Sequence, residues 1–123
     1  MSKILVVDDE KALRLLYKRD LEQDGHSVVV AQDVAEGLRA LESEFPDLVV
    51  LDIRMPGVDG LDAMGRILER QPQVPIVLNT AYSSYKENFL SWSADAYVIK
   101  SSDTGELRAK VKELLATRRE HLH

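Results

Sequence analysis

The sequence predicts an α/β domain built on a parallel sheet, and three observations carry that expectation. Five short apolar, β-branched runs, at roughly 3–8, 27–31, 48–52, 75–79 and 96–100, alternate with longer segments of helical periodicity. Runs such as Leu48-Val49-Val50-Leu51 are apolar on both sides, as a sheet covered on both faces requires. The alternation repeats five times with no break in composition, so a single domain with right-handed crossovers is expected. At 123 residues the chain is long enough to bury one core.

The elements follow in order. Ile4-Leu5-Val6-Val7 forms the first strand and is closed by Asp8 and Asp9. Ala12, Leu13, Leu16, Tyr17 and Leu21 recur at helical spacing, and Gly25 is placed to cap the end of that helix. After the second strand, Asp33 and Glu36 stand as N-cap and N3 of a helix carrying Val34, Leu38 and Leu41. The third strand is closed by Asp52. The turn that follows, Ile53 to Gly60, owes Pro56, Gly57 and Gly60 to its backbone geometry. A third helix places Leu61, Met64, Ile67 and Leu68 on one side. Ile76-Val77-Leu78-Asn79 is the fourth strand, closed by Thr80. Over 83–94, Tyr85, Phe89 and Trp92 share a helical face that Ser83, Ser84, Ser91 and Ser93 weaken, so a short helix is expected there. Tyr97-Val98-Ile99 is the fifth strand, closed by Lys100. The last helix is expected to start near Asp103, with Glu106 three residues on, and carries Leu107, Val111, Leu114 and Leu115. Residues 1–120 form the expected domain, with 121–123 as a tail.

Composition narrows the function classes. A hydrophobic fraction of 45% and a charged fraction of 30% are ordinary for a soluble protein. The net charge of -5 argues against a general nucleic-acid surface, since phosphate backbones need Lys and Arg. The absence of cysteine rules out disulfides, thiolate metal sites and a Cys nucleophile. The first apolar run is too short for a signal-peptide core. No later run approaches the ~18 apolar residues of a membrane span. A cytoplasmic protein without membrane or direct nucleic-acid contact is expected.

The chemistry lies at the strand ends. If the five runs are neighbouring parallel strands, Asp8, Asp9, Asp52, Thr80 and Lys100 reach the same carboxyl edge of one sheet. Taken singly, each has an ordinary explanation. Asp8-Asp9 would serve a loop or a helix N-cap, Asp52 a strand-ending turn, and Lys100 would be a solvated lysine. Their joint placement changes that reading. Three ionised carboxylates held close would repel and raise at least one pKa, and a cation removes the conflict. Hard oxygen donors with no His or Cys nearby favour Mg²⁺. A carboxylate beside Mg²⁺ can attack phosphorus, with Lys100 and the metal neutralising the equatorial oxygens and Thr80 hydrogen-bonding the same group.

The pieces Val6-Val7-Asp8-Asp9-Glu10, Leu51-Asp52-Ile53-Arg54-Met55-Pro56-Gly57-Val58-Asp59-Gly60, Thr80-Ala81 and Ala96-Tyr97-Val98-Ile99-Lys100 together resemble a bacterial two-component response-regulator receiver domain. The resemblance covers essentially the whole chain. It implies a flavodoxin-like, doubly wound five-stranded parallel sheet of order 2-1-3-4-5 with helices on both faces. That order is taken over from the chemotaxis receiver, the standard instance of it, and is not read from the residues. It further implies that Asp52 accepts a phosphoryl group from a sensor histidine kinase or phosphotransfer protein. Asp9 and Asp52 would bind Mg²⁺ directly with the Arg54 backbone carbonyl, Asp8 through water. Thr80 and Lys100 would contact the phosphate, and small Ala81 would leave it accessible. Thr80 and Tyr97 would relay the state to the surface of the 83–94 helix, the fifth strand and the last helix, where a downstream effector or a second copy could dock. Arg54 and Tyr82 flank the site and would tune the phosphoryl lifetime.

The chain departs from the family pattern in two places. Ser101 follows Lys100 where most relatives carry proline. A cis bond before a non-proline costs about 2.5–4 kcal/mol, so a trans Lys100–Ser101 peptide is expected. The stretch 80–97 is slightly short and carries bulky Phe89 and Trp92, so its helix is expected to be short or displaced. Other functions fit less well. A phosphorylation-independent binding module would have no use for the five site residues. A Mg²⁺-dependent phosphatase needs a general acid near its nucleophile, but Arg54 stands two residues after Asp52. Neither phosphate-loop glycine pattern is present.

Overall fold

Each apolar run becomes a strand, and four of the periodic segments become helices, in the computed structural model, which describes residues 2–52, 60–81, 94–101 and 103–122. The order is β1 (Lys3–Val7), α1 (Lys11–Gln23), β2 (Ser27–Ala31), α2 (Val34–Glu44), β3 (Leu48–Leu51), α3 (Gly60–Arg70), β4 (Ile76–Thr80), β5 (Ala96–Ile99) and α4 (Gly105–Leu122). All strand pairs are parallel and the sheet order is β2-β1-β3-β4-β5, as the resemblance implies. The turn at 53–59, the expected helix over 83–94 as far as residue 93, and Ser102 lie outside the described residues. Among the described residues no helix is long and apolar enough to cross a membrane.

Side-chain alternation along each strand divides the core in two. Leu5, Val7, Val49, Leu51, Ile76 and Leu78 face one way and pack with Leu38 and Leu41 of α2 and Met64 and Ile67 of α3. Ile4, Val6, Leu48, Val50, Val77 and Val98 face the other, against Tyr17 and Leu21 of α1 and Leu107, Val111 and Leu115 of α4. The strands are therefore buried on both faces, which is why their sequences lack polar alternation. α2 approaches the sheet at Gly37, where an added Cβ would lie 3.0 Å from Val7 Cγ2.

The helix ends are local. α1 stops in a Schellman arrangement: Gly25 has φ of 93°, its N–H donates to Glu22 O at 3.0 Å, and His26 N–H donates to Leu21 O at 3.3 Å. Asp33 caps α2, its Oδ1 accepting from Glu36 N–H at 2.8 Å. α4 begins at Gly105, near Asp103 as expected, but with a different cap. Asp103 Oδ1 accepts from Gly105 N–H at 2.8 Å instead of from an N–H deeper in the helix, and helical pairing starts with Arg108 N–H donating to Thr104 O.

α4 is fastened to α1 by two polar contacts at matching spacing. Thr104 Oγ1 donates to Asp20 Oδ2 at 2.6 Å in a buried setting, and Arg108 grips both carboxylate oxygens of Asp24 at 2.9 and 2.6 Å. Asp24 is the C-cap of α1, where a negative charge opposes the helix dipole, so Arg108 offsets an unfavourable placement. The Thr104 hydroxyl holds the Asp20 carboxyl below its ordinary range, and the Arg108 guanidinium does the same for Asp24.

Two predictions come from this packing. The folded pKa values of Asp20 and Asp24 lie below the ordinary 3.8, so their stabilisation is complete above that value and is lost as pH falls through the lowered values. Denaturant midpoints should therefore show the advantage of the native chain over an Asp20→Asn, Asp24→Asn double variant shrinking below about pH 4. In α3, Gly65 has open space around an added Cβ, so Gly65→Ala should stabilise the fold by about 1 kcal/mol. Gly37→Ala should forfeit that gain, because Val7 is fully buried and β-branched and has no room to yield. Thermal unfolding of the two variants side by side checks this.

Candidate functional site

Ladder register decides which side chains meet. Val7 pairs with Leu51, and Asp52 N–H donates to Val7 O at 3.0 Å, so Asp8 and Asp52 leave adjacent strands at one level. Thr80 pairs with Ile99, and Lys100 N–H donates to Thr80 O at 2.7 Å, which brings Lys100 to the same edge two strands from Asp52. The lysine stem crosses the end of β4. Its Nζ lies 2.8 Å from Asp52 Oδ2, 2.9 Å from Asp8 Oδ2 and 3.6 Å from Glu10 Oε1.

Asp8, Asp52 and Thr80 are buried, at 1%, 3% and 0% exposure, while Asp9 and Glu10 face solvent. At an effective dielectric near 20, each short Lys100–carboxylate contact is worth roughly 6 kcal/mol of Coulomb energy. Removing each ion from water costs several kcal/mol in return. The net effect on stability is small, and the main consequence is that three charged groups are held in fixed relative positions.

The electrostatics follow from this geometry. Burial pushes the Asp8 carboxyl above its ordinary range, against the pull of the Glu10 N–H and the Lys100 ammonium. The repulsion from Asp52, which the sequence singles out, is the least of the causes. Burial works against the Lys100 charge, but hydrogen bonds to Asp52 and Asp8 outweigh it and hold the ammonium well above the usual lysine range. Lys100 is a fixed cation at any physiological pH.

The β1–α1 turn supplies the rest. Asp8 Oδ1 accepts from Glu10 N–H at 2.9 Å, closing an Asx turn, and Arg14 Nη1 donates to Asp8 O at 2.7 Å. The capping role open to Asp8 in the sequence is not used, since Glu10 is the N-cap of α1 and has no side-chain cap bond. One carboxylate oxygen each of Asp8, Asp9 and Glu10 lie within 4.8 Å of one another. Three hard oxygen donors on one short turn, two of them exposed, fit Mg²⁺, which keeps several waters and takes few protein ligands. Glu10 and Arg14 were not singled out from the sequence. The third acid of Asp8-Asp9-Glu10 was the signal for Glu10, and nothing local marks Arg14.

The remaining expected residues are placed as follows. Thr80 ends β4 at the site, with Ala81 exposed beside it. Tyr97 is buried on the α2/α3 side of the sheet. The described residues contain no cis peptide, so Lys100–Ser101 is trans as expected. Arg54 and Tyr82 lie outside the described residues. Next to Thr80 in sequence, Asn79 carries a fully buried Nδ2, and the Oη of Tyr17 is fully buried as well.

Comparison with known proteins points the same way. A family model described as the response regulator receiver domain matches residues 4–112. The chain is 36% identical over 116 residues to the alkaline phosphatase synthesis transcriptional regulatory protein PhoP of Bacillus subtilis, covering 93% of this chain and 48% of PhoP. It thus spans about half the length of the curated relatives it matches. The response regulator TrrA of Thermotoga maritima, solved in complex with Mg²⁺-BeF, is 45% identical, with a TM-score of 0.85 over 93% of this chain and 99% of that one. TrrA in complex with the histidine kinase ThkA superposes with a TM-score of 0.83 over 94% of this chain and 99% of TrrA.

One consequence of the bridge can be measured directly. Replacing Lys100 leaves two buried carboxylates without their shared cation, a change of the kind that costs about 3 kcal/mol. Lys100→Met should lose that much unfolding free energy in metal-free buffer and regain part of it in millimolar Mg²⁺. Denaturant titrations with and without the cation would show it.

Proposed function

The chain belongs to the response-regulator receiver family, and from that premise we propose that Asp52 accepts a phosphoryl group from a phosphohistidine on a sensor histidine kinase or phosphotransfer protein. The observation that carries the proposal is the Lys100 ammonium, held between Asp52 and Asp8 beside an acidic turn at one sheet edge. Support also comes from the TrrA structures, one with Mg²⁺-BeF and one with a histidine kinase.

In this reading an Asp52 carboxylate oxygen attacks phosphorus, the phosphorus–nitrogen bond breaks, and the imidazole leaves and takes up a proton. Asp9, Asp52 and the Arg54 carbonyl would hold Mg²⁺, with Asp8 acting through water. When bound, the metal supplies positive charge against the phosphoryl oxygens. Lys100 exchanges one carboxylate contact for a phosphoryl oxygen, and the Thr80 hydroxyl donates to another. Tyr97 then changes its packing and alters the surface of the 83–94 segment, β5 and α4, where an effector or a second copy docks. Exposed Ala81 leaves the phosphoryl group accessible, and Arg54 and Tyr82 tune its lifetime. The only reaction catalysed is the gain and hydrolytic loss of the chain's own phosphoryl group, in the cytoplasm, by a domain spanning residues 1–120.

Intact-protein mass after incubation with Mg²⁺ and a small phosphodonor tests the proposal. The expected result is the gain of one phosphoryl group, dependent on Mg²⁺ and absent in Asp52→Asn. No gain from either a small donor or a panel of phosphorylated histidine kinases, with the fold intact, would favour a module that signals through contacts alone.

A further inference from the structure

The inference concerns how Lys100 is held in place, and it rests on the reading that Lys100 serves phosphoryl transfer. Among the described residues, Lys100 N–H donating to Thr80 O is the last bond of the β4–β5 ladder. Four residues then lead to α4 without a proline to stiffen them. Side chains take over that task. Ser101 Oγ accepts from Asp103 N–H at 3.1 Å, Asp103 Oδ1 accepts from Gly105 N–H, and Thr104 Oγ1 donates to Asp20 at 2.6 Å. Of these contacts only the last is buried and reaches another element: Asp20 is 8% exposed, Thr104 6%, and they are 84 residues apart.

The contact closes a ring. α1 starts at the acidic turn that carries Asp8 and bears Asp20 on its last turns. Thr104 joins Asp20 to the loop, the loop leads back to Lys100, and Lys100 Nζ returns to Asp8. Both ends of α1 are thereby tied to the same short segment, so a shift of the loop must stretch the Lys100–Asp8 contact or release it. We infer that Asp20 and Thr104 are positioning residues: their buried hydrogen bond holds the loop so that the Lys100 ammonium stands at the height of Asp52 and Asp8.

The test uses Thr104→Val, which keeps the shape of the side chain and removes the donor. Its readouts are the phosphorylation rate at saturating donor, Mg²⁺ affinity, and the ¹⁵N resonance of the Lys100 ammonium. The rate is expected to fall about tenfold or more, since small misplacements of a charged group at a reacting centre carry large penalties. Mg²⁺ affinity should stay within about twofold, because the acidic turn is untouched. The Lys100 resonance should shift or broaden, and Thr104→Ser should restore both rate and resonance. Arg108→Gln, which breaks the neighbouring pair with Asp24 and weakens the same helix contact, should leave the resonance unchanged. If Thr104→Val does not fold, Asp20→Asn carries the same readouts with the acceptor weakened. An unaltered Lys100 resonance in a folded variant would overturn the inference whatever the rate. If the native chain gains no phosphoryl group at all, the reading of its function fails, while the resonance still decides whether Thr104 sets the lysine.

Discussion

The site turns on one cation shared by two buried carboxylates. Asp8 and Asp52 stand on adjacent parallel strands, and nothing in the ladder keeps them from repelling each other across the sheet edge. The Lys100 ammonium, 2.9 and 2.8 Å from them, places one positive charge between the two carboxylates. With β5 beside β4, the lysine stem has only the end of β4 to cross.

The surrounding structure reads as support for that contact. A one-residue slip between β1 and β3 would exchange the side chains of the two cores and separate Val7 from Leu51. The Asx turn and the Arg14 contact to the Asp8 carbonyl fix the acidic loop from the α1 side. The Thr104–Asp20 hydrogen bond ties the loop after Lys100 to α1. Neither device is apolar, because both sit at the rim, where backbone groups leave the ladder and need new partners.

Most of the fold was legible because a sheet buried on both faces leaves a strong signal, runs of Leu, Val and Ile without polar alternation. Asp8, Asp52, Thr80 and Lys100 were legible because each ends such a run. The strand order was not read from the residues, since apolar runs carry no record of which neighbour they join; it came with the family resemblance. The start of α4 near Asp103 was legible, but its cap was not: Asp103 followed by Glu106 has capping spacing, while the chain turns the Asp103 carboxylate to Gly105 and sends Thr104 to Asp20. That choice depends on a partner 84 residues away, which no local pattern encodes. Glu10 was passed over because only the folded turn brings its carboxylate toward those of Asp8 and Asp9.

The bridge also bounds how a phosphoryl group could act on the domain. Such a group brings about -1.5 to -2 charges. Inverting a two-state equilibrium from 1:99 to 99:1 needs roughly 5.5 kcal/mol of differential stabilisation. Charge-assisted hydrogen bonds of about 1.5–3 kcal/mol each would reach that figure only if they were new. The contact Lys100 makes to a phosphoryl oxygen is not wholly new, because the ammonium is already satisfied by two carboxylates and must release one. Its gain is therefore a difference between two strong contacts, smaller than either. The larger share of the switching energy must come from other groups, and on the proposed chemistry the metal is one of them. Lys100 keeps the acidic edge assembled until they act.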